Sequence, residues 1–169
     1  MERAIITRQG SKGQVIEIGV VIDGSAAWVY AKVDGKTDAT VLGPGKLSKP
    51  QTHNGRTYTH YIGHVGILAE ELPLIEAALT QARYEAAQTP AGLRAHRETL
   101  LARIRGVLDE TEAARERGYN EDIGNIPSYD SPKYRAAKQA LVEFDFAHPE
   151  IKAGLEVERQ ESIKRHMWD

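Results

Sequence analysis

His53, His60 and His64 fall within twelve residues, and His60 and His64 have the spacing that sets two imidazoles on one face of a helix, where a pair can ligate a metal. The residues around them deny that geometry. Thr57-Tyr58-Thr59-His60-Tyr61-Ile62 reads as a strand, in which an offset of four separates side chains by roughly 13 Å at about 3.3 Å per residue. No HExxH pattern accompanies them, so His60 and His64 are not expected to hold a metal jointly, and no cofactor is expected. A small hydrolase or transferase is the reading in which this cluster does chemistry, with Tyr58, His60 or His64 as the catalytic group and Glu70 or Glu71 as its acid.

Two glycine-lysine turns, Gly10-Ser11-Lys12-Gly13 and Gly43-Pro44-Gly45-Lys46, have the composition of phosphate cradles but not the GxxxxGK[ST] spacing, and neither joins a strand directly to a helix. They read as hairpin turns with solvated lysines. Ser25, Ser48, Ser128, Ser131 and Ser162 lack the flanking glycines of a nucleophile elbow. No catalytic residue is therefore assigned.

The remaining candidates are surfaces. If Val29, Ala31 and Val33 point inward from a strand, Trp28, Tyr30 and Lys32 point outward, and a neighbouring strand sets Arg56, Tyr58 and His60 on one side. Such an aromatic and basic face can stack bases and pair with phosphates, or anchor a protein, unless helices cover it. The last helix ends in Met167-Trp168, an indole that either docks on the body or meets a partner. A long connection holds Tyr119, Asp122, Asn125, Tyr129 and Asp130 and is either a packed loop or a recognition surface. The binding candidates are thus Trp28, Tyr30, Lys32, Arg56, Tyr58, His60 and Trp168.

Composition bounds what can position these residues. With no cysteine among 169 residues there is no disulfide, thiolate nucleophile or zinc finger, and any metal site would be built from His, Asp and Glu. An apolar fraction of 41% and a charged fraction of 27% describe a packed domain rather than a disordered chain. No apolar run approaches the roughly 18 residues of a membrane span, and no signal-peptide core follows Met1, so a cytoplasmic location is expected. The net charge of -2 gives no global pull toward nucleic acid, yet residues 1–67 hold eight Lys and Arg against five Asp and Glu. The sheet region is mildly basic and the rest acidic.

Residues 1–67 read as strands cut by Asp23-Gly24, Asp34-Gly35, Gly43-Pro44-Gly45 and Asn54-Gly55, with strands near 3–8, 14–22, 27–33, 38–42, 47–53 and 56–62. Ile16, Ile18, Val20 and Ile22 share one face of the second, which is expected to be central. Residues 68–169 change to a helical period. Leu72, Ile75, Leu79, Ala82 and Ala86 mark a first helix, Thr89-Pro90 starts a second that carries Leu101, Ile104 and Leu108, and the two are expected to form a hairpin. Ser131-Pro132 opens a third helix and His148-Pro149 a fourth, whose apolar stripe fails at Glu158 and Ser162.

The expected fold is α+β: an antiparallel sheet of about five strands in 1–67, with three to four helices of 68–169 packed on it as one compact domain. Leu79, Leu101, Ile104 and Leu108 are expected to cover the Ile18 face. The expected function is non-enzymatic binding of a protein partner, of the kind a phage or mobile element uses to inhibit host defence. Nucleic-acid or nucleotide binding through the sheet face is the alternative, and the Tyr58, His60 and His64 enzyme a third. No membrane partner is expected.

Overall fold

A computed structural model of the protein describes residues 1–118 and 131–166. Seven strands come first: β1 (Glu2–Gln9), β2 (Val15–Asp23), β3 (Ala26–Val33), β4 (Lys36–Val41), β5 (Gly45–His53), β6 (Arg56–Ile62) and β7 (Val65–Leu68). Four helices follow: α1 (Leu72–Ala87), α2 (Pro90–Gly118), α3 (Pro132–Ala147) and α4 (Pro149–His166). The class is α+β, as the change of period at residue 68 implies.

The strands form two antiparallel sheets, β1-β2-β3-β4 and β5-β6-β7, where one sheet of about five strands was expected. The ladder breaks between β4 and β5 at Leu42-Gly43-Pro44, where proline has no N–H to donate. The strand absent from the sequence reading is β7, whose turn, Gly63-His64, lacks an Asn-Gly or Asp-Gly signature. Asp34 and Asn54 adopt φ of 49° and 50°, each followed by a glycine at positive φ, which is the backbone that two-residue hairpin turns demand.

The chain divides into two compact units, Met1–Gly92 and Leu93–Asp169. In the first, β2 lies between β1 and β3, and Ile16, Ile18 and Val20 are buried beside Ala27, Val29 and Ala31 of β3. Onto this face α1 lays Ile75, Leu79, Ala82 and Ala86, a spacing of four, three and four that keeps one stripe inward. Ile62, Val65 and Ile67 of the second sheet complete the same cluster. Its helical members are all from α1. Leu79 is among them as expected, whereas Leu101, Ile104 and Leu108 belong to the second unit and are half-buried there.

In the second unit Ser131 caps α3, its hydroxyl accepting the Tyr134 N–H at 3.2 Å, with Pro132 in the first turn as its fixed φ allows. Arg97 of α2 grips Asp145 of α3 through two bonds of 2.7 and 3.1 Å. The hydrogen bond from Arg97 holds the Asp145 carboxyl below its usual range, despite partial burial. The buried ring of Phe144 stands between those of His96 and His148. Along α4, Glu158 and Ser162 are exposed, as the failing stripe implies. Tyr119, Asp122, Asn125, Tyr129 and Asp130, and Met167 with Trp168, lie outside the described residues. Among the described residues no helix is long and apolar enough to cross a membrane.

Ile18 is fully enclosed at the centre of the first unit's core. Ile18→Ala is expected to cost about 2–5 kcal/mol, measured by urea unfolding, against about 0.5 kcal/mol or less for the exposed Thr57→Ala.

Candidate binding cleft

Arg8, Ile16 and Val33 occupy one cross-strand row of the four-stranded sheet, Arg8 opposite Ile16 and Ile16 opposite Val33. At that row the two sheets part, leaving an open cleft of about 870 Å³ whose other wall carries Tyr58, Tyr61, Val65 and Gly66. Its base is apolar because it continues the core through Ile16 and Val65, which are 7% and 4% exposed. The rim is polar, with Gln14 from the β1–β2 turn, Lys46, Ser48 and Gln51 from β5, and Asp38 and His64 from the remaining side.

Irregular pairing aims these side chains. In β6, Tyr58 opposes Leu68 and His60 opposes Ile67, so Thr59 is an unmatched residue. A one-residue bulge reverses the alternation beyond it. Tyr58 and Tyr61, three apart, therefore both line the cleft, and His60 falls on the opposite face from Tyr61. This corrects the expectation that Arg56, Tyr58 and His60 alternate onto one side. Both tyrosine rings lie on glycines: a Cβ on Gly66 would stand 2.7 Å from Cδ1 of Tyr58, and one on Gly45 2.7 Å from Cζ of Tyr61.

Asp38 is the extra residue in β4, between Thr37 opposite Lys32 and Ala39 opposite Ala31. Its Oδ2 accepts the His64 backbone N–H at 3.0 Å, while its Oδ1 is 3.7 Å from Nδ1 of the exposed His64 ring. The turn can approach because residue 63 is glycine, at φ 56°; a Cβ there would meet the Ala39 Cβ at 2.4 Å. In β5 the pairing jumps from Lys46 opposite His60 to Gln51 opposite Tyr58, so Leu47 to Pro50 bow out and place Ser48 on the rim.

Behind Tyr58, Arg8 donates from Nε to Glu71 Oε1 at 2.5 Å and from Nη2 to the Gly66 carbonyl at 2.6 Å. Glu71 also accepts the Leu68 N–H at 2.9 Å. The pair is 11% and 8% exposed, and the guanidinium carbon stands 5.8 Å from the Tyr58 ring centre, in reach of its π face. The charge of Arg8 is thus neutralised in place, and Asp38 is engaged by the His64 turn. Among the described residues, Lys46, which stands opposite His60 at the edge of the cleft, has no ion-pair or hydrogen-bond partner.

The candidates named from the sequence are divided between the two sheets. Trp28, Tyr30 and Lys32 lie on the face of β3 turned away from Val29 and Ala31. Tyr30 is nevertheless only 3% exposed, because its ring lies across Gly19, where a Cβ would stand 2.7 Å from Cζ. Its hydroxyl donates to Glu17 at 2.8 Å, and burial together with that bond pushes the phenol well above its ordinary range. Lys32 reaches Glu2 at 2.5 Å, which raises its pKa, and stands 4.7 Å from the Tyr30 ring centre. Tyr30 is thus covered by its own sheet's side chains. Trp28 is half-buried and Arg56 exposed; His60 is half-buried, its Nδ1 2.9 Å from the Thr59 hydroxyl. Of the seven candidates, Tyr58 alone lines the cleft, and Trp168 is outside the described residues.

His53 and His64 line the cleft without His60. Among the described residues no group of three His, Asp or Glu is placed to hold a metal ion. Glu71, named as an acid for the histidine cluster, is instead the partner of Arg8. The sequence reading missed Arg8, Asp38 and Tyr61, and it took Lys46 as a solvated turn residue. Nothing local marks them: each enters the cleft through a bulge or a contact distant in sequence. Compared with known proteins, the chain matches no family, and neither a curated protein nor a solved structure shows significant similarity to it.

The seat of Tyr58 on Gly66 is directly testable. Gly66→Ala is expected to destabilise the protein by about 1–3 kcal/mol through overpacking. In a Tyr58→Ala background the same change should cost about 0.5 kcal/mol or less, because the two effects share one contact; equal cost in both backgrounds would remove the ring from that seat.

Proposed function

We propose that the protein is a non-enzymatic binding protein and that a segment of a protein partner occupies the cleft between the sheets. One observation supports this above the others: the cleft joins an apolar base, made by Ile16, Val33 and Val65, to two tyrosines and a rim of polar side chains. Recognition sites have this composition, in which apolar contact supplies affinity and a few polar groups set orientation.

Charge separates this reading from the nucleic-acid one. Binding a phosphate backbone relies on several uncompensated cations, each releasing a counterion. Here Arg8 is neutralised by Glu71, and Lys46 remains. Of the acids named for the enzyme reading, Glu71 is held by Arg8, and the acid found beside His64 is Asp38, 3.7 Å from its Nδ1. The contacts of Asp38 instead hold the β6–β7 turn.

Ser48→Trp places an indole on the exposed rim of the cleft without touching the core. Proteins captured from the source cell by the native chain should be reduced at least tenfold with this variant, at unchanged thermal stability, and labelled single-stranded DNA and RNA should not bind near 0.15 M salt. Capture indifferent to Ser48→Trp removes the cleft as the site. Tight nucleic-acid binding that falls steeply with salt replaces this reading with the nucleic-acid one.

A further inference from the structure

We infer that the cleft is built for a proline-rich segment in the polyproline II form, with two of its residues, three positions apart, resting on the rings of Tyr58 and Tyr61. This rests on the preceding reading that a protein segment occupies the cleft, and it assigns that segment its conformation and composition.

The spacing of the two rings comes first. Gly45, Tyr61 and Gly66 form one cross-strand row of the three-stranded sheet, with Tyr61 in the middle. The ring of Tyr61 ends over Gly45, where a Cβ would stand 2.7 Å from Cζ, and that of Tyr58 begins over Gly66, where a Cβ would stand 3.0 Å from Cγ. The two seats are therefore two strand spacings apart, roughly 9.6 Å at about 4.8 Å per strand. A polyproline II helix turns once every three residues at about 3.1 Å each, so residues i and i+3 share one edge roughly 9.3 Å apart. A β-strand returns to the same face after two residues, roughly 6.6 Å, or four, roughly 13 Å, and fits neither.

Hydrogen bonding agrees with the spacing. Among the described residues neither tyrosine hydroxyl has a hydrogen-bond partner, nor do the side chains of Ser48 and Gln51 on the rim. A polyproline II segment has no internal hydrogen bonds, and each proline offers a carbonyl and no N–H. Hydroxyls and an amide are the donors that such acceptors need. Aromatic-lined grooves take segments of this kind because the ligand is already ordered before it binds. The cleft asks its occupant for no charge: Arg8 is matched by Glu71 and Asp38 by the His64 turn, and Met1–Gly92 holds nine Lys and Arg against nine Asp and Glu. At about 870 Å³ it lies toward the upper end of the roughly 300–1,000 Å³ of ligand pockets, which is room for more than one residue.

Selection of random dodecapeptides displayed on phage, against the full native chain and against Tyr58→Phe, Tyr61→Phe, Tyr61→Ala and Ser48→Trp, tests this. Tyr61 is 38% exposed and neither hydroxyl is bonded, so the three tyrosine variants are expected to keep the native thermal midpoint. Peptides enriched on the native chain should carry prolines three positions apart. Synthetic copies should bind each Tyr→Phe variant about threefold more weakly, through the loss of one hydrogen bond. They should bind Tyr61→Ala at least tenfold more weakly, and should lose binding to Ser48→Trp. If Tyr61→Ala lowers the thermal midpoint, the two Tyr→Phe variants decide. Enriched peptides that depend on the open cleft yet carry no such proline pair, or that bind all three tyrosine variants as well as the native chain, overturn the inference and leave the protein-segment reading standing. Peptides that bind Ser48→Trp as well as the native chain, or a selection that enriches none, overturn both.

Discussion

The buried ion pair of Arg8 and Glu71 is the constraint on which the rest of the first unit depends. Arg8 belongs to the four-stranded sheet, Gly66 and Leu68 to the three-stranded one, and Glu71 stands at the N-terminus of α1. One guanidinium and one carboxylate thus join both sheets and the helix that covers their common core. Removing two charges from water costs several kcal/mol per ion, which only good geometry and further hydrogen bonds offset. Here the carbonyl of Gly66 and the amide of Leu68 provide those bonds. They also fix β7, which at four residues is a short strand. Because Glu71 spends its carboxylate this way, α1 begins without a side-chain cap, and Pro73 in its first turn lacks an N–H that would need one.

Against that fixed point, the bulges give the cleft its contents. A regular strand would send Tyr58 and Tyr61 to opposite faces; Thr59 brings them together. A regular β4 would have no Asp38 to spare for the β6–β7 turn. The same irregularities protect edges. β5 bows out between Lys46 and Gln51 and carries Lys49 and Pro50, both of which obstruct the addition of a further strand. The β6–β7 turn crowds β4 at Ala39 and Asp38. Strand addition is discouraged at both places.

Local chemistry was legible in the sequence, and distant chemistry was not. Asp34-Gly35 and Asn54-Gly55 form the turns their dipeptides demand, the isoleucine and valine stripe of β2 is buried, and α2, α3 and α4 each begin at a proline. These depend on residues a few positions apart. The division into two sheets depends on where a ladder stops, and the shared face of Tyr58 and Tyr61 on one unmatched threonine. The partnership of Arg8 with Glu71 spans 63 residues, so neither one signals the other. Tyr30 shows the converse: its alternation was read correctly, yet Gly19 opposite it lets the ring lie flat among charged neighbours, and burial followed from a glycine rather than a helix.

The coupling free energy between Arg8 and Glu71, from urea unfolding of the native chain, Arg8→Met, Glu71→Gln and the double variant, tests directly whether this pair joins the sheets. Each single change should leave one buried charge without its partner and cost about 3–5 kcal/mol. Removing both should cost much less than the two together, giving a coupling of about 2 kcal/mol or more. A coupling of about 0.5 kcal/mol or less, as exposed ion pairs give, would contradict it and leave the cleft without the support described.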